Sequence, residues 1–274
     1  MTRLLTAFVL LVVTQTAAVA QAAAPIDALY RALGLPQIIE IMREEGLVYG
    51  ASIEEELFAS RGGARWKALV DDIYDAERMN ATVRNRLDSE LAAADLAPMI
   101  AFFETERGHR IVELEVSARR ALLDESVEAA SREALAAMID DNDPRVTMLF
   151  DFADAGELVE SNVVGAMNAS YAFYLGLSEA DAFAGGLSED DILADVWGQE
   201  SDIRFETEEW LYSYLALAYR PLSDEELQAY TDFFLTPEGA VLNRAIFNAF
   251  DEMFVAISLA LGQGASRYLG GQEL

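Results

Sequence analysis

This 274-residue chain is short of histidine and cysteine, two side chains widely used in acid–base and nucleophilic catalysis. The chain has one histidine, His109, and no cysteine, which excludes thiol nucleophiles and metal sites built from two or more Cys or His ligands. His109 could act as a general base, but no Gly-x-Ser-x-Gly nucleophile motif accompanies it. We therefore interpret His109 as structural and predict no catalytic residue and no cofactor.

The densest group of oxygen ligands is the run Asp140-Asp141-Asn142-Asp143. Asp140, Asp141 and Asp143 are candidate ligands for a hard cation such as calcium. The run lacks the glycine turn and the distal glutamate of an EF-hand loop. A connecting loop in which Asp143 caps the next helix explains the same residues. Paired carboxylates for glycoside hydrolysis also stay open, because the separation they need is spatial.

The charge balance narrows the classes of partner. The 48 Asp and Glu residues face 19 Lys and Arg residues, which gives a net charge of −29. Such a surface repels nucleic-acid phosphates and anionic membrane headgroups, so we exclude both as partners. It favours encounter with a basic-faced protein or peptide. The hydrophobic share of 53% is enough for a globular core. The oligomeric state is not fixed by these numbers.

The start of the chain, residues 1–22, has the pattern of a secretory signal peptide. Arg3 is its only charge, residues 4–13 are apolar, and small residues lead to cleavage sites near Ala20 to Ala22. We predict a periplasmic or secreted protein after cleavage. Retention as an anchor is the alternative, because the apolar stretch could extend through Ala24.

The elements that must position any site are helical, since hydrophobic periodicity is helical almost throughout. We predict an all-α fold of two similar units, residues 26–140 and 144–262, followed by a flexible, glycine-containing C-terminus at 263–274. Single long helices are predicted over residues 64–87 and 109–138.

An internal repeat, in which Phe102 corresponds to Phe233 and Gly108 to Gly239, supports the two units. Each copy predicts a short helix, a turn and a long helix. Ser223 and Glu226 predict a capping box, and both glycines fall in the first turn of the long helix, where a side chain would collide with the preceding helix. The motif residues are Leu96, Phe102, Phe103 and Gly108 in the first copy and Leu222, Ser223, Glu226, Leu227, Phe233, Phe234, Thr236, Pro237 and Gly239 in the second. Residues 35–58 and 155–177 could also be equivalent helices.

The block at residues 222–239 resembles the bacterial family called domain of unknown function 2059. In that family an acidic Glu-Leu helix start leads to an aromatic pair, a Ser/Thr-Pro step and a glycine. The first copy departs from the pattern, with Ala92 in place of the capping Ser and Glu106 in place of the Pro. The resemblance implies an exported helical protein and supplies no catalytic residue.

Together these observations predict a protein- or peptide-binding or scaffolding module of the bacterial envelope, rather than an enzyme. A small-ligand or cation-binding protein is the first alternative. A carboxylate-dependent hydrolase is the second.

Overall fold

The computed structural model describes residues 24–58, 61–178 and 188–269. Within these ranges every regular element is an α-helix, and no strand occurs, so the all-α prediction is confirmed. The predicted signal peptide lies outside the described residues. The helices are α1 (Pro25–Ala32), α2 (Leu35–Phe58), α3 (Gly63–Ile73), α4 (Ala76–Glu90), α5 (Ala97–Phe103), α6 (Glu106–Ala121), α7 (Glu125–Asp140), α8 (Pro144–Ala155), α9 (Leu158–Ser178), α10 (Glu189–Gly198), α11 (Glu200–Tyr219), α12 (Asp224–Phe234) and α13 (Pro237–Leu269).

Two predicted long helices are each divided by an aspartate cap. Asp75 accepts a hydrogen bond from the backbone N of Arg78 at 2.8 Å and starts α4. Asp124 accepts one from the backbone N of Ser126 at 2.9 Å and starts α7. An aspartate side chain that accepts a hydrogen bond from a backbone N–H group favours the start of a new helix at that point. It does so here although the apolar periodicity continues across both breaks. The single helices predicted over 64–87 and 109–138 are therefore wrong.

Helix α13 is the centre of the fold. It packs along α9 and also contacts α2, α3, α4 and α5. One cluster of buried apolar side chains runs from Ile26 in α1 to Ala265 in α13. The predicted units, residues 26–140 and 144–262, share this core, because α13 belongs to the second unit and packs against helices of the first.

The end of α13 corrects our prediction of a flexible C-terminus at 263–274. Residues 263–269 form its last two turns, and residues 270–274 lie outside the described part of the chain. Tyr268 stacks on Phe58 with ring centroids 4.9 Å apart and meets the edge of Trp66. A Cβ atom on Gly262 would lie 2.1 Å from the carbonyl oxygen of Phe173. The glycine permits close helix contact here and does not end the helix.

By length and composition, α13 is the one helix among the described residues that could cross a membrane. Its most apolar stretch has a mean hydropathy of 1.5, and 33% of that stretch is buried. Core helices of folded proteins meet the same criteria.

Candidate functional site

The α12–α13 hairpin contains the second set of predicted motif residues. The hydroxyl of Ser223 accepts a hydrogen bond from the backbone N of Glu226 at 3.2 Å, and the Glu226 carboxylate accepts one from the backbone N of Ser223 at 2.8 Å. Thr236 Oγ1 accepts a hydrogen bond from the backbone N of Gly239 at 3.0 Å. A Cβ on Gly239 would lie 1.9 Å from the carbonyl oxygen of Phe233. Buried beside them are Leu222, Leu227, Phe233 and Phe234.

The α5–α6 hairpin has the same local geometry. Thr105 Oγ1 accepts a hydrogen bond from the backbone N of Gly108 at 3.0 Å. A Cβ on Gly108 would lie 2.3 Å from the carbonyl oxygen of Phe102. Phe103 is buried and Leu96 is partly buried. Both hairpins thus use a threonine cap and a glycine that lets the long helix touch the backbone of the short one.

The two hairpins meet through their aromatic residues. The rings of Phe102 and Phe233 stack with centroids 4.2 Å apart, and Phe103 meets the edge of Phe233 at 5.5 Å. The motif residues therefore form a packed contact between the two hairpins, with no room for a ligand between stacked rings.

The aspartate run lies between α7 and α8. Asp143 caps α8 by accepting a hydrogen bond from the backbone N of Arg145 at 2.9 Å. Asp140 and Asp141 are exposed at the end of α7. Among the described residues, no three His, Asp or Glu side chains are grouped as metal ligands. The geometry gives Asp143 a capping role.

His109 lines a pocket of about 380 Å³, which we call the α6 pocket. Arg31, Gly34 and Gln37 form its other side, and Glu113 lies one turn along α6 from His109. The structure brings no serine–aspartate pair to His109, since the one hydroxyl residue that lines the pocket is Ser117 and the one acid is Glu113.

A second cavity of about 380 Å³ lies between α9 and α13, and we call it the α13 groove. Its lining includes Glu157, Val164 and Asn168 on one side and Arg244, Phe247 and Asp251 on the other. This size is within the range of ligand pockets, which combine apolar surface with a few polar groups. Val164 is 53% exposed although it is apolar.

Hydrogen bonds fix both ends of the groove. The side-chain amide of Asn243 donates to the carbonyl oxygen of Gly156 at 2.6 Å. The side-chain amide of Asn168 donates to Asp251 at 3.0 Å. Residue numbers rise together along α9 and α13 at these contacts, so the helices run parallel. The walls are therefore mostly α9 and α13, with Ala155 at the end of α8 and Glu157 in the α8–α9 turn.

The α6 pocket and the α13 groove use matching positions. The pocket is lined by positions 109, 112, 113, 116 and 117, and the groove by positions 240, 243, 244, 247 and 248. These positions correspond one to one in the register that aligns Gly108 with Gly239. On the opposite walls, Gly34 and Glu157 each precede a long helix and have left-handed backbone conformations, with φ of 64° and 49°. The two cavities thus have the same local architecture and different side chains.

A carboxyl group that sequence reasoning missed belongs to Glu115 in α6. Tyr219 donates a hydrogen bond to it at 2.6 Å, and Tyr230 donates a second. Burial raises the pKa of Glu115 to about 7, and the two hydrogen bonds only partly oppose this rise. Burial also holds the pKa values of Tyr219 and Tyr230 well above 10, so both stay donors.

The described residues define an all-α protein in which two helical hairpins are in contact and two cavities occur. The family described as "Uncharacterized protein conserved in bacteria (DUF2059)" matches residues 77–137, which span nearly all of α4 to α7. The resemblance is confirmed for this segment, whereas the block at 222–239 lies outside it. No curated protein and no solved structure matches the chain.

Proposed function

We propose that this protein is a binding module that holds a segment of a protein or a peptide in the α13 groove. The groove itself carries the proposal, because it is a concave site with mostly helical walls, apolar surface at Val164 and Phe247, and polar groups around them. The net charge of −29 steers basic-faced partners toward the protein.

We also propose that the α12–α13 hairpin is a second copy of the unit to which residues 77–137 belong. The equal threonine caps, the two glycine contacts and the matching cavity positions support this duplication. In this interpretation, the residues that differ between matching positions of the two cavities are those at which the two copies have acquired different binding properties.

Export of the protein is part of the proposal, supported by the charged start, apolar run and small-residue end of residues 1–22. We expect the intact mass of the exported protein to correspond to a chain that begins between Gln21 and Ala24. A mass that retains residues 1–20 would contradict cleavage.

Groove binding is tested by crosslinking. Because the chain has no cysteine, Val164→Cys supplies a unique thiol for a benzophenone label in the groove. The matched control is Val48→Cys on α2, which is 69% exposed and lines neither cavity. Irradiation in an envelope extract should give a defined adduct with the groove label only, and Asp251→Lys should weaken that adduct. The same adducts from both labels would contradict the proposal.

A further inference from the structure

The α13 groove contains two opposite charges that no described neighbour neutralises. Glu157 and Arg244 both line it as exposed side chains, and within the described ranges neither forms an ion pair or a side-chain hydrogen bond. Glu160, which also lines the groove, is by contrast paired with Arg204 at 2.9 Å. We propose that Glu157 and Arg244 bind the ammonium and the carboxylate of one zwitterionic amino compound, either a short peptide or a free amino acid. This inference rests on the proposed function of the groove.

The backbone at Glu157 supports a role for its side chain. Its φ of 49° is left-handed, a conformation that a Cβ atom disfavours and that glycine adopts freely. At the matching position of the α6 pocket, the residue is Gly34, with a φ of 64°. The chain therefore keeps a carboxylate at a position where glycine would relieve strain, and that carboxylate lines the groove.

The α6 pocket provides an internal comparison. The positions that match Glu157 and Arg244 are Gly34 and Glu113, so an acid replaces the guanidinium on the second wall. The charge on the first wall of that pocket is Arg31, which gives the two walls the reverse order of charge. An amino compound could enter that pocket only in the reverse orientation, with its carboxylate at Arg31 and its ammonium at Glu113. Substitutions in each cavity therefore distinguish the two sites.

The rest of the groove suits an amino compound with an apolar side chain. Val164 and Phe247 provide apolar contact next to the charged end. The Asn243 amide is held by the carbonyl of Gly156, which leaves its side-chain oxygen as an acceptor for an N–H group. A guanidinium binds a carboxylate with two parallel hydrogen bonds, whereas Glu157 accepts hydrogen bonds from an ammonium.

Calorimetric titration of the purified protein tests the inference with defined probes. These are the tripeptide Ala-Leu-Ala, its N-acetylated form, its C-amidated form and free leucine. We expect the free tripeptide to bind and each blocked form to bind about 10-fold to 100-fold more weakly, because each loses one charged hydrogen-bonded contact. Comparing leucine with the tripeptide distinguishes the two sources of a zwitterion.

Substitutions test which group of the ligand each charged side chain binds. Glu157→Gln should weaken the free tripeptide to the level of its N-acetylated form and abolish the preference between the two, and Arg244→Gln should do the same for the C-amidated form. Glu113→Gln in the α6 pocket is the matched control and should leave all affinities unchanged. Equal binding of free and blocked tripeptides, or binding of no zwitterionic probe, would overturn the inference. A groove-specific crosslink of Val164→Cys in the envelope extract would then still support the proposed function.

Discussion

Gly262→Ala is expected to lower the free energy of unfolding by about 3 kcal/mol. The new Cβ would lie 2.1 Å from the carbonyl oxygen of Phe173 and 3.0 Å from the backbone N of Leu177. Both contacts are with backbone atoms of α9, so a rotamer change cannot relieve them. Helices α9 and α13 would have to separate along the most extensive helix contact of the fold. Chemical denaturation of the variant measures the loss.

Gly198→Ala in α10 is the matched control, because a Cβ there meets no atom within 4 Å. Alanine is the better helix former by about 1 kcal/mol, so this control should be neutral or stabilising. The two substitutions are chemically identical, yet only the one at Gly262 should destabilise the protein. A Gly262→Ala variant as stable as the control would show that α9 and α13 do not pack this closely.

Glu115→Gln is expected to remove a pH dependence of stability. Burial raises the pKa of Glu115 from 4.5 to about 7 in the folded protein. A raised pKa means that the folded state binds this proton more tightly than the unfolded state does. The stabilisation is therefore fully present below pH 4.5 and is lost as the pH rises through 7, by up to about 3 kcal/mol. Glutamine carries no proton to lose.

Unfolding measured at pH 5 and at pH 8 compares the two proteins. The difference between the two pH values should be smaller in Glu115→Gln than in the parent, while Glu113→Gln, which replaces an exposed carboxylate on the same helix, should keep the parental difference. Equal pH dependence in all three proteins would mean that the Glu115 carboxyl is not enclosed by Tyr219 and Tyr230.

The features that the sequence predicts correctly depend on interactions between residues close together in the chain. The all-α class followed from periodicity, and the start of α12 followed from Ser223 and Glu226, whose reciprocal hydrogen bonds are short-range. The spacing of residues in α6 also indicates that Glu115 faces the core. Glu115 lies four residues after Ile111 and three before Ala118, both buried, so an acid stands on the apolar face of α6.

The α13 groove was beyond sequence reasoning. Its two walls come from distant parts of the chain, and its shape depends on how closely α9 and α13 approach. Gly176 and Gly262 set that approach, because a Cβ on either would strike the backbone of the opposite helix. In the sequence, a glycine near the chain end such as Gly262 is equally typical of a frayed terminus, and no local pattern indicates a helix contact at Gly176.

The central position of α13 also bears on the order in which the protein acquires structure. A chain is synthesised from its N-terminus, so α2, α3 and α4 emerge well before the helix against which they pack. Until α13 arrives, side chains such as Trp66 and Val70 lack part of their covering. We therefore expect the early helices to stay incompletely packed until α13 has been synthesised. In that state they are exposed to aggregation or to binding by a chaperone.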